Sequence, residues 1–548
     1  MSDNKNTPVK AKKSTKLFFS GVLILTFANI LIKVIGLTLK IPLQHLLGDG
    51  GMGYYNTAYD IYVWFYMIST AGLPVAISIL ISESRAKGNF REAKRIFRIT
   101  LLIFIILGLA GMFIMMGGAG LFANAYKFPA ADKAIFAIAP TLFFICISSA
   151  IRGYFQGYQH MVPTALSQIV EALGKLIIGI SLAKYAINAG YDLPMVAAFT
   201  VLGLTIGVAA GMLFLCISKL LFKAAPFDEE YRQPDSDTMP IRPTGTLLKI
   251  ILVTAIPITL SSSVMSFTSM IDGMILSDRL QWIGYTEQQA REMFGNYKTL
   301  AVSMFNLPPA LIYPITYAVV PLLSATIASQ NKERARAIIN STLKVSSIIA
   351  LPCALGLSAL SEPILKLLFN DESAKTAAPL LSVLAPTIFL VGMLAVSTAV
   401  LQSYKLERKP IISMVAGSVV KLAASFVLIG IPAINIFGAP IGTFLCYLTN
   451  CGCNFYFMSK HIDFVPSVKE MFVRPLIASV LCALSALGSY HLFDMFLGNT
   501  MSTVGALGIA VIVYAVAILL FKCITKDDLM VVPKGQKIYS ILHKTKLI

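Results

Sequence analysis

Three lysines stand where a membrane-spanning helix holds charge least easily. Lys33 lies about 24 Å of helix rise along the apolar run that starts at Leu17, and Lys175 and Lys421 lie about 18 and 15 Å into theirs. An ionisable group at such depth costs roughly 2.5–3.5 kcal/mol or more, so it is retained where a polar interior and a function hold it. Lys33 shares a polar stripe with Asn29, Gly36 and Lys40, because steps of three, four and seven residues return to one helix face. Lys40 is close enough to the outer end of its run to snorkel to the headgroups. Arg152, near the cytoplasmic end of another run, serves either as an anchor or as a ligand contact. Two lysines facing one cavity would bind a divalent anion. Glu171, four residues before Lys175, offers the competing reading of local neutralisation, whereas Lys421 has no acidic residue within a turn. Asp60 and Asp272, each in the outer part of its run, would pair Lys33 or serve a coupling ion. Tyr55, Tyr59, Tyr62 and Tyr66 form one stripe, for which packing and an interfacial aromatic belt are account enough.

The lysines at 175 and 421 are related by an internal duplication. Ala139-Pro140-Thr141 returns as Ala385-Pro386-Thr387, Gln156-Gly157-Tyr158 returns as Gln402-Ser403-Tyr404, and Lys175 returns as Lys421, all at the offset 386 − 140 = 246 residues. Pro74 and Pro321 give a looser echo, as do the basic runs Arg91–Arg95 and Lys332–Arg336. One long fixed offset means two copies of a large unit rather than a solenoid of short repeats.

The elements that must position these residues are membrane helices. The chain is 56% hydrophobic and 13% charged, with a mean hydropathy of +0.75; soluble proteins carry about 25% charged residues. Runs of twenty or more apolar residues recur, each able to cross roughly 30 Å of hydrocarbon, and strand-type alternation is absent. The fold class is all-α polytopic, with fourteen spans near 17–41, 54–81, 96–118, 133–155, 163–186, 194–221, 246–275, 296–324, 338–360, 377–403, 411–430, 435–459, 472–493 and 503–521. The expected division is a basic tail (1–16), an N-lobe of six spans (17–221), a proline-broken acidic linker (222–245), a C-lobe of six (246–459), an appended helix pair (460–521) and a second basic tail (522–548). Six spans per copy leave both lobes in one orientation, as parallel repeats. Most Lys and Arg outside the spans fall on the side of the N-terminus, so the positive-inside rule places both termini in the cytoplasm of a multi-pass plasma-membrane protein. The net charge of +18 therefore marks orientation and contact with lipid headgroups, not nucleic acid. The first apolar run is too long for a signal-peptide core and lacks a small-residue cleavage site, so it reads as a span. The outer loop Ser277–Gly295 is expected to carry a short surface helix.

Other chemistries lack their residues. There is no phosphate loop, no H-E-x-x-H and no nucleophile elbow, which argues against an ATPase, a zinc protease or a hydrolase. Cys451 and Cys453 have no partners at zinc spacing and read as small core residues, so no metal is expected. Asp235-Ser236-Asp237 spells a D-x-D, but in a short acidic linker without a nucleotide-binding fold. No enzyme activity and no resident cofactor follow from this sequence. A membrane glycosyltransferase is the enzyme reading it leaves behind, and it lacks a catalytic acid pair.

Ile32-Lys33-Val34-Ile35-Gly36, Leu47-Gly48-Asp49-Gly50-Gly51-Met52-Gly53, Ser69 through Ser78 (with Gly72-Leu73-Pro74-Val75-Ala76-Ile77) and Asn306-Leu307-Pro308-Pro309 together resemble the polysaccharide-transport branch of the MOP exporter superfamily, which includes sporulation-type transporters and MurJ-type lipid II flippases. The resemblance implies two six-helix lobes around a cavity that opens alternately to either side, with an undecaprenyl-pyrophosphate-linked sugar as cargo. Lys33 falls where such flippases carry an arginine. Lys40 falls near a position that is acidic in them, and the arginine they place five residues before Pro308 is Ser303 here, with Lys298 more than a turn earlier. The implied function is flipping of a cell-wall precursor, lipid II first among them, from the inner to the outer leaflet. It would be driven by membrane potential, protons or sodium, with the bilayer and cell-wall synthesis enzymes as partners. Alternatives are export of another lipid-linked glycan (teichoic acid, capsule or spore cortex) and cation-coupled drug export on the same fold.

Overall fold

Prolines and glycines decide where the helices of this chain stop, and the same punctuation appears in both halves. The computed structural model describes residues 7–222, 236, 239–465, 467, 469–521 and 523, with side chains from residue 27 onward except at 261, 317, 318, 469 and 470. The outermost parts of both basic tails, most of the acidic linker, and Asp235 and Asp237 of the D-x-D lie outside the described residues. Among the described residues there are helices and no strands. Ten helices among the described residues are long and apolar enough to cross a bilayer, or twelve if each of two bent pairs is one span. Two of the ten, Phe27–Ala86 and Met471–Leu520, run 60 and 50 residues; straight, they would measure about 90 and 75 Å against roughly 30 Å of hydrocarbon. Each is interrupted by a glycine in the left-handed region, Gly48 (φ 62°) and Gly498 (φ 69°), a conformation that costs residues with a Cβ. Taken as two crossings each, they bring the tally to fourteen, compatible with the sequence reading.

The chain divides into two compact units, Met1–Met274 and Ile275–Ile548. In the first, α1 (Thr7–Thr70) passes through Gly48 and is followed by α2 (Leu73–Ala86), α3 (Phe90–Gly117), α4 (Ala119–Ala125), α5 (Asp132–Ile138), α6 (Thr141–Gly157), α7 (Val162–Asn188), α8 (Leu193–Leu221) and α9 (Thr244–Trp282), the last running on into the second unit. Asn89 caps α3 by accepting the Glu92 backbone N–H at 3.0 Å, as expected of a side-chain N-cap. α3 then shows two apolar faces. Phe104, Gly108, Gly111 and Met115 are buried, while Leu102, Ile106 and Phe113 are exposed, as befits a helix with lipid on one side. Pro140 sits between α5 and α6. It cannot donate a backbone hydrogen bond, and Thr205 of α8 donates to the carbonyl of Ala137 at 3.1 Å at this break, which is how side chains satisfy a broken membrane helix.

The end of this unit where α2 meets α3 and α6 meets α7 is knitted by charge and aromatic contacts. Arg242, just before α9, donates from its backbone N–H, Nε and Nη2 to the Glu92 carboxylate at 2.9, 3.0 and 2.6 Å, and Ser84 adds a fourth bond at 2.9 Å. The Arg85 guanidinium lies 4.1 Å from the Tyr158 ring centroid and Lys219 3.6 Å from that of Tyr154, both cation–π contacts. Beneath them Leu73, Ile77, Leu80, Ile81, Phe104 and Phe155 form the core.

The second unit repeats these solutions. The helix Thr387–Ser403 has Pro386 at its start and spans 17 residues, as α6 does behind Pro140. The turns after them hold Gln159 and Lys405 at φ 56° and 60°, again one offset apart. Asn331 caps the helix Lys332–Ala359 by accepting the Arg334 N–H, as Asn89 caps α3. The short helix expected in the 277–295 loop is present at Glu287–Asn296, opened by a reciprocal capping box between Thr286 and Gln289,. Cys451 is buried and its thiol donates to the Leu390 carbonyl at 3.1 Å, a packing role.

Candidate functional site

The first unit contains a polar cavity of about 210 Å³ lined by α1, α6 and α7. α7 supplies Gln168, Glu171, Ala172 and Lys175, spaced so that all four share one helix face. α1 supplies Asn29, Ile32, Ile35, Gly36 and Leu39, and, beyond its Gly48 break, Tyr66; α6 supplies Arg152. Glycines bring the backbones of α7 and α8 into contact. A Cβ at Gly207 would lie 2.6 Å from the Lys175 nitrogen, and one at Gly203 would lie 2.3 Å from the Gly179 Cα. Small residues are what let membrane helices approach so closely, and here they fix the face of α7 that carries the charges. In the second unit Gly417, Gly438 and Gly442 do the same between the helices Arg408–Ile429 and Gly438–Ile462.

Within the cavity Arg152 Nη2 donates to Glu171 Oε2 at 3.0 Å and Nε donates to Ser167 Oγ at 3.2 Å. Ser167 in turn donates to the Thr164 carbonyl at 2.7 Å, which fixes the hydroxyl as an acceptor for the guanidinium. Among the described residues the third guanidinium nitrogen, Nη1, has no hydrogen-bond partner. Lys175 Nζ lies 5.1 Å from the Tyr59 ring centroid. Tyr59 belongs to a ladder in which Tyr55, Tyr59, Tyr62 and Tyr66 follow one another at centroid distances of 6.1, 6.0 and 6.0 Å. Gln168 Oε1 is buried with no hydrogen-bond partner. Two cations against one carboxylate leave the lining with a net positive charge. The open guanidinium nitrogen and the waiting amide oxygen suit a ligand that brings both an anionic group and hydroxyl donors.

The site residues singled out by sequence do not all meet in one place. Asn29, Arg152, Glu171 and Lys175 meet at the cavity, together with Gly36 of the first-helix stripe. Glu171 is bonded to Arg152 rather than held by its neighbour on α7 alone. Lys33 and Lys40 are not among the lining residues; Lys33 is exposed on the flank of α1 and Lys40 is half-buried. Asp60 and Asp272 gather elsewhere, around the buried Tyr126, whose hydroxyl donates to the Met270 carbonyl at 3.0 Å. Lys298 and Lys421 belong to the second unit. Lys298 sits on the π-helical stretch Tyr297–Ala301, 5.7 Å from the Phe294 ring, and Lys421 is half-buried on Arg408–Ile429. Sequence reasoning missed Gln168 as a lining residue; its spacing of three and seven from Glu171 and Lys175 was the available signal. A larger cavity of about 530 Å³, near Met116, Phe136, Met195, Phe199 and Leu202, is lined mainly by apolar side chains. With Asp132 and Lys133 as its charged lining residues, it does not compete as the chemical site. Among the described residues no group of three His, Cys, Asp or Glu could hold a metal ion.

A polar, net-cationic cavity inside a multi-pass bundle of broken helices is the arrangement of a transporter. The model for the polysaccharide biosynthesis protein family matches residues 18–327, and the MatE model matches residues 298–427. The chain belongs to the polysaccharide biosynthesis protein family, and it is a transporter of the MOP superfamily. Stage V sporulation protein B of Bacillus subtilis (strain 168) is 24% identical over 528 residues, covering 94% of this chain and 98% of that protein. Lipid II flippase MurJ of the same organism is 23% identical, covering 86% and 87%. Among solved structures, an inward-facing multidrug resistance MATE family transporter superposes with a TM-score of 0.62 at 15% identity, over 79% of this chain and 94% of that one. Lipid II flippase MurJ in an inward closed conformation gives 0.62 at 14% identity, over 91% and 98%. At these identities the structural likeness establishes the fold.

Proposed function

We propose that this protein is a flippase moving an undecaprenyl-pyrophosphate-linked cell-wall precursor, with lipid II the first candidate, from the inner to the outer leaflet of the plasma membrane. The observation that carries this reading is the cavity itself. Arg152 and Lys175 offer charge and donors for a pyrophosphate, while Gln168 and Asn29 offer partners for sugar hydroxyls. A lining with two cations and one carboxylate favours an anion over a cationic drug. An inside-negative potential favours outward movement of a net anionic headgroup by about 2.3 kcal/mol per charge per 100 mV, so no resident cofactor is needed. Both termini lie in the cytoplasm, and cell-wall synthesis enzymes receive the product.

The test is a bacterium depleted of its own lipid II flippases and expressing this protein, with outer-leaflet lipid II scored by an added lipid II-cleaving toxin. Cleavage restored by the wild type and lost with Lys175→Ala is the expected result. A well-expressed wild type that restores nothing refutes lipid II as cargo and leaves the other lipid-linked glycans. One observation favours a second reading: the MatE model match alongside the carboxylates Asp60 and Asp272 about Tyr126 suits cation-coupled drug export. Efflux of a cationic dye that Asp60→Asn abolishes would support that reading against the first.

A further inference from the structure

We propose that Glu171 is a built-in counter-ion, holding Arg152 while the cavity is empty and exchanged for the anionic group of the cargo when it fills. This rests on the anionic-cargo reading above and names the residue that would set how tightly the cavity keeps its ligand. Arg152 has a side chain 9% exposed and Glu171 one 22% exposed. A guanidinium buried to that degree without a compensating charge is strongly destabilising. A transporter must nevertheless pass through an empty state in every cycle, so an empty cavity built around Arg152 needs an anion of its own.

The geometry of the pair suits exchange rather than permanent closure. The contact is a single bond, Nη2 to Oε2 at 3.0 Å, with Nε occupied by Ser167. Arg–carboxylate pairs that lock use two parallel bonds. Nη1 has no hydrogen-bond partner among the described residues, so an entering phosphate oxygen can take it before Glu171 lets go. Once released, Glu171 has a second cation in reach. Lys175 is four residues further along α7 on the same face, with the carboxylate N-terminal to the ammonium, the favourable order for such a pair. In this structure Lys175 instead rests against Tyr59, 5.1 Å from its centroid. The filled state would therefore hold Arg152 on phosphate and Glu171 on Lys175, and release of cargo would restore the original pair. Arg152 keeps an anionic partner at both stages. Glu171 acts on the cargo through Arg152 and is thus a positioning residue.

The experiment measures binding of farnesyl pyrophosphate, a short prenyl diphosphate, to the purified full-length protein in detergent by calorimetry, with farnesol as the uncharged control. Glu171→Gln removes the competing carboxylate. It is expected to bind farnesyl pyrophosphate about tenfold more tightly than wild type (~1.4 kcal/mol), with farnesol binding unchanged and with slower lipid turnover in cells. A purely structural role would not produce a gain in affinity confined to the charged probe. Equal or weaker binding by Glu171→Gln overturns the inference. Should that variant not fold, Glu171→Asp, which keeps the charge but is one methylene shorter, is read the same way: a smaller gain supports the exchange and no gain overturns it. A wild type that does not bind the diphosphate at all refutes the anionic-cargo reading, and this inference falls with it. A wild type that binds while neither variant gains affinity leaves that reading standing and removes the counter-ion role alone.

Discussion

The contact between α7 and α8 gives the sharpest quantitative test, through Gly207→Ala. The added Cβ would lie 2.6 Å from the backbone nitrogen of Lys175, 2.9 Å from the Glu171 carbonyl and 3.1 Å from the Gly174 carbonyl carbon. All three are backbone atoms, so no rotamer change relieves the clash. Restoring ordinary contact at about 3.5 Å requires the helices to part locally by about 0.9 Å (3.5 − 2.6). Overpacking of that kind costs ~1–3 kcal/mol, which for a unit of this size lowers Tm by about 2–6 °C. The displacement falls on the residues that carry Glu171 and Lys175, so the 3.0 Å bond from Arg152 to Glu171 is pulled toward its limit and transport should fall with stability. Gly36→Ala is the matched control. A Cβ there meets nothing within 4 Å, and its Tm should equal that of wild type. Thermal unfolding of the three purified proteins in one detergent, followed by the toxin-cleavage assay in cells, measures both effects. A Gly207→Ala protein with wild-type Tm and wild-type transport would refute the close approach of α7 and α8 and the positioning argument built on it.

Two further outcomes follow from the same geometry. Gly36→Leu should fold normally, because the space around Gly36 is open, yet abolish transport, because the leucine side chain projects into a cavity of only about 210 Å³; wild-type lipid turnover in this variant would show that cargo does not pass there. His160, in the turn between α6 and α7 and stacked on Phe222 with ring centroids 5.6 Å apart, is held below the ordinary imidazole range by burial. The unfolded chain, with its imidazole near pH 6.5, takes up the proton first, so stability is lost as pH falls through ~6.5 and is unaffected by this group above it. The Tm of wild type should therefore drop more steeply between pH 7 and 5 than that of His160→Phe, and parallel slopes would refute the effect.

Much of this was legible in the residues. Apolar run length alone marks a helical membrane protein, because hydrocarbon leaves backbone groups no partner but one another. The duplication was legible too, since Pro140 and Pro386 start helices of the same length and Gln159 and Lys405 take the same left-handed turn. Periodicity placed Glu171 and Lys175 on one face of one helix.

What the sequence could not decide was which faces meet. The stripe of Asn29, Lys33, Gly36 and Lys40 looked like one cavity wall, but only Asn29 and Gly36 line the cavity, because α1 presents the neighbouring face of Ile32, Ile35 and Leu39 to α6 and α7. The partner of Glu171 was equally hidden. Local spacing offered Lys175, and the tertiary fold supplied Arg152 from α6. Periodicity fixes angles within a helix, whereas the rotation of one helix against the next is set by side-chain volumes at the contact, here glycines on both sides of the α7–α8 crossing,. Sequence by itself thus determined the membrane class, the repeat and the inventory of charges. Only the packed bundle decided that Arg152, Glu171 and Lys175 share one cavity, because that depends on contacts between helices far apart in the chain.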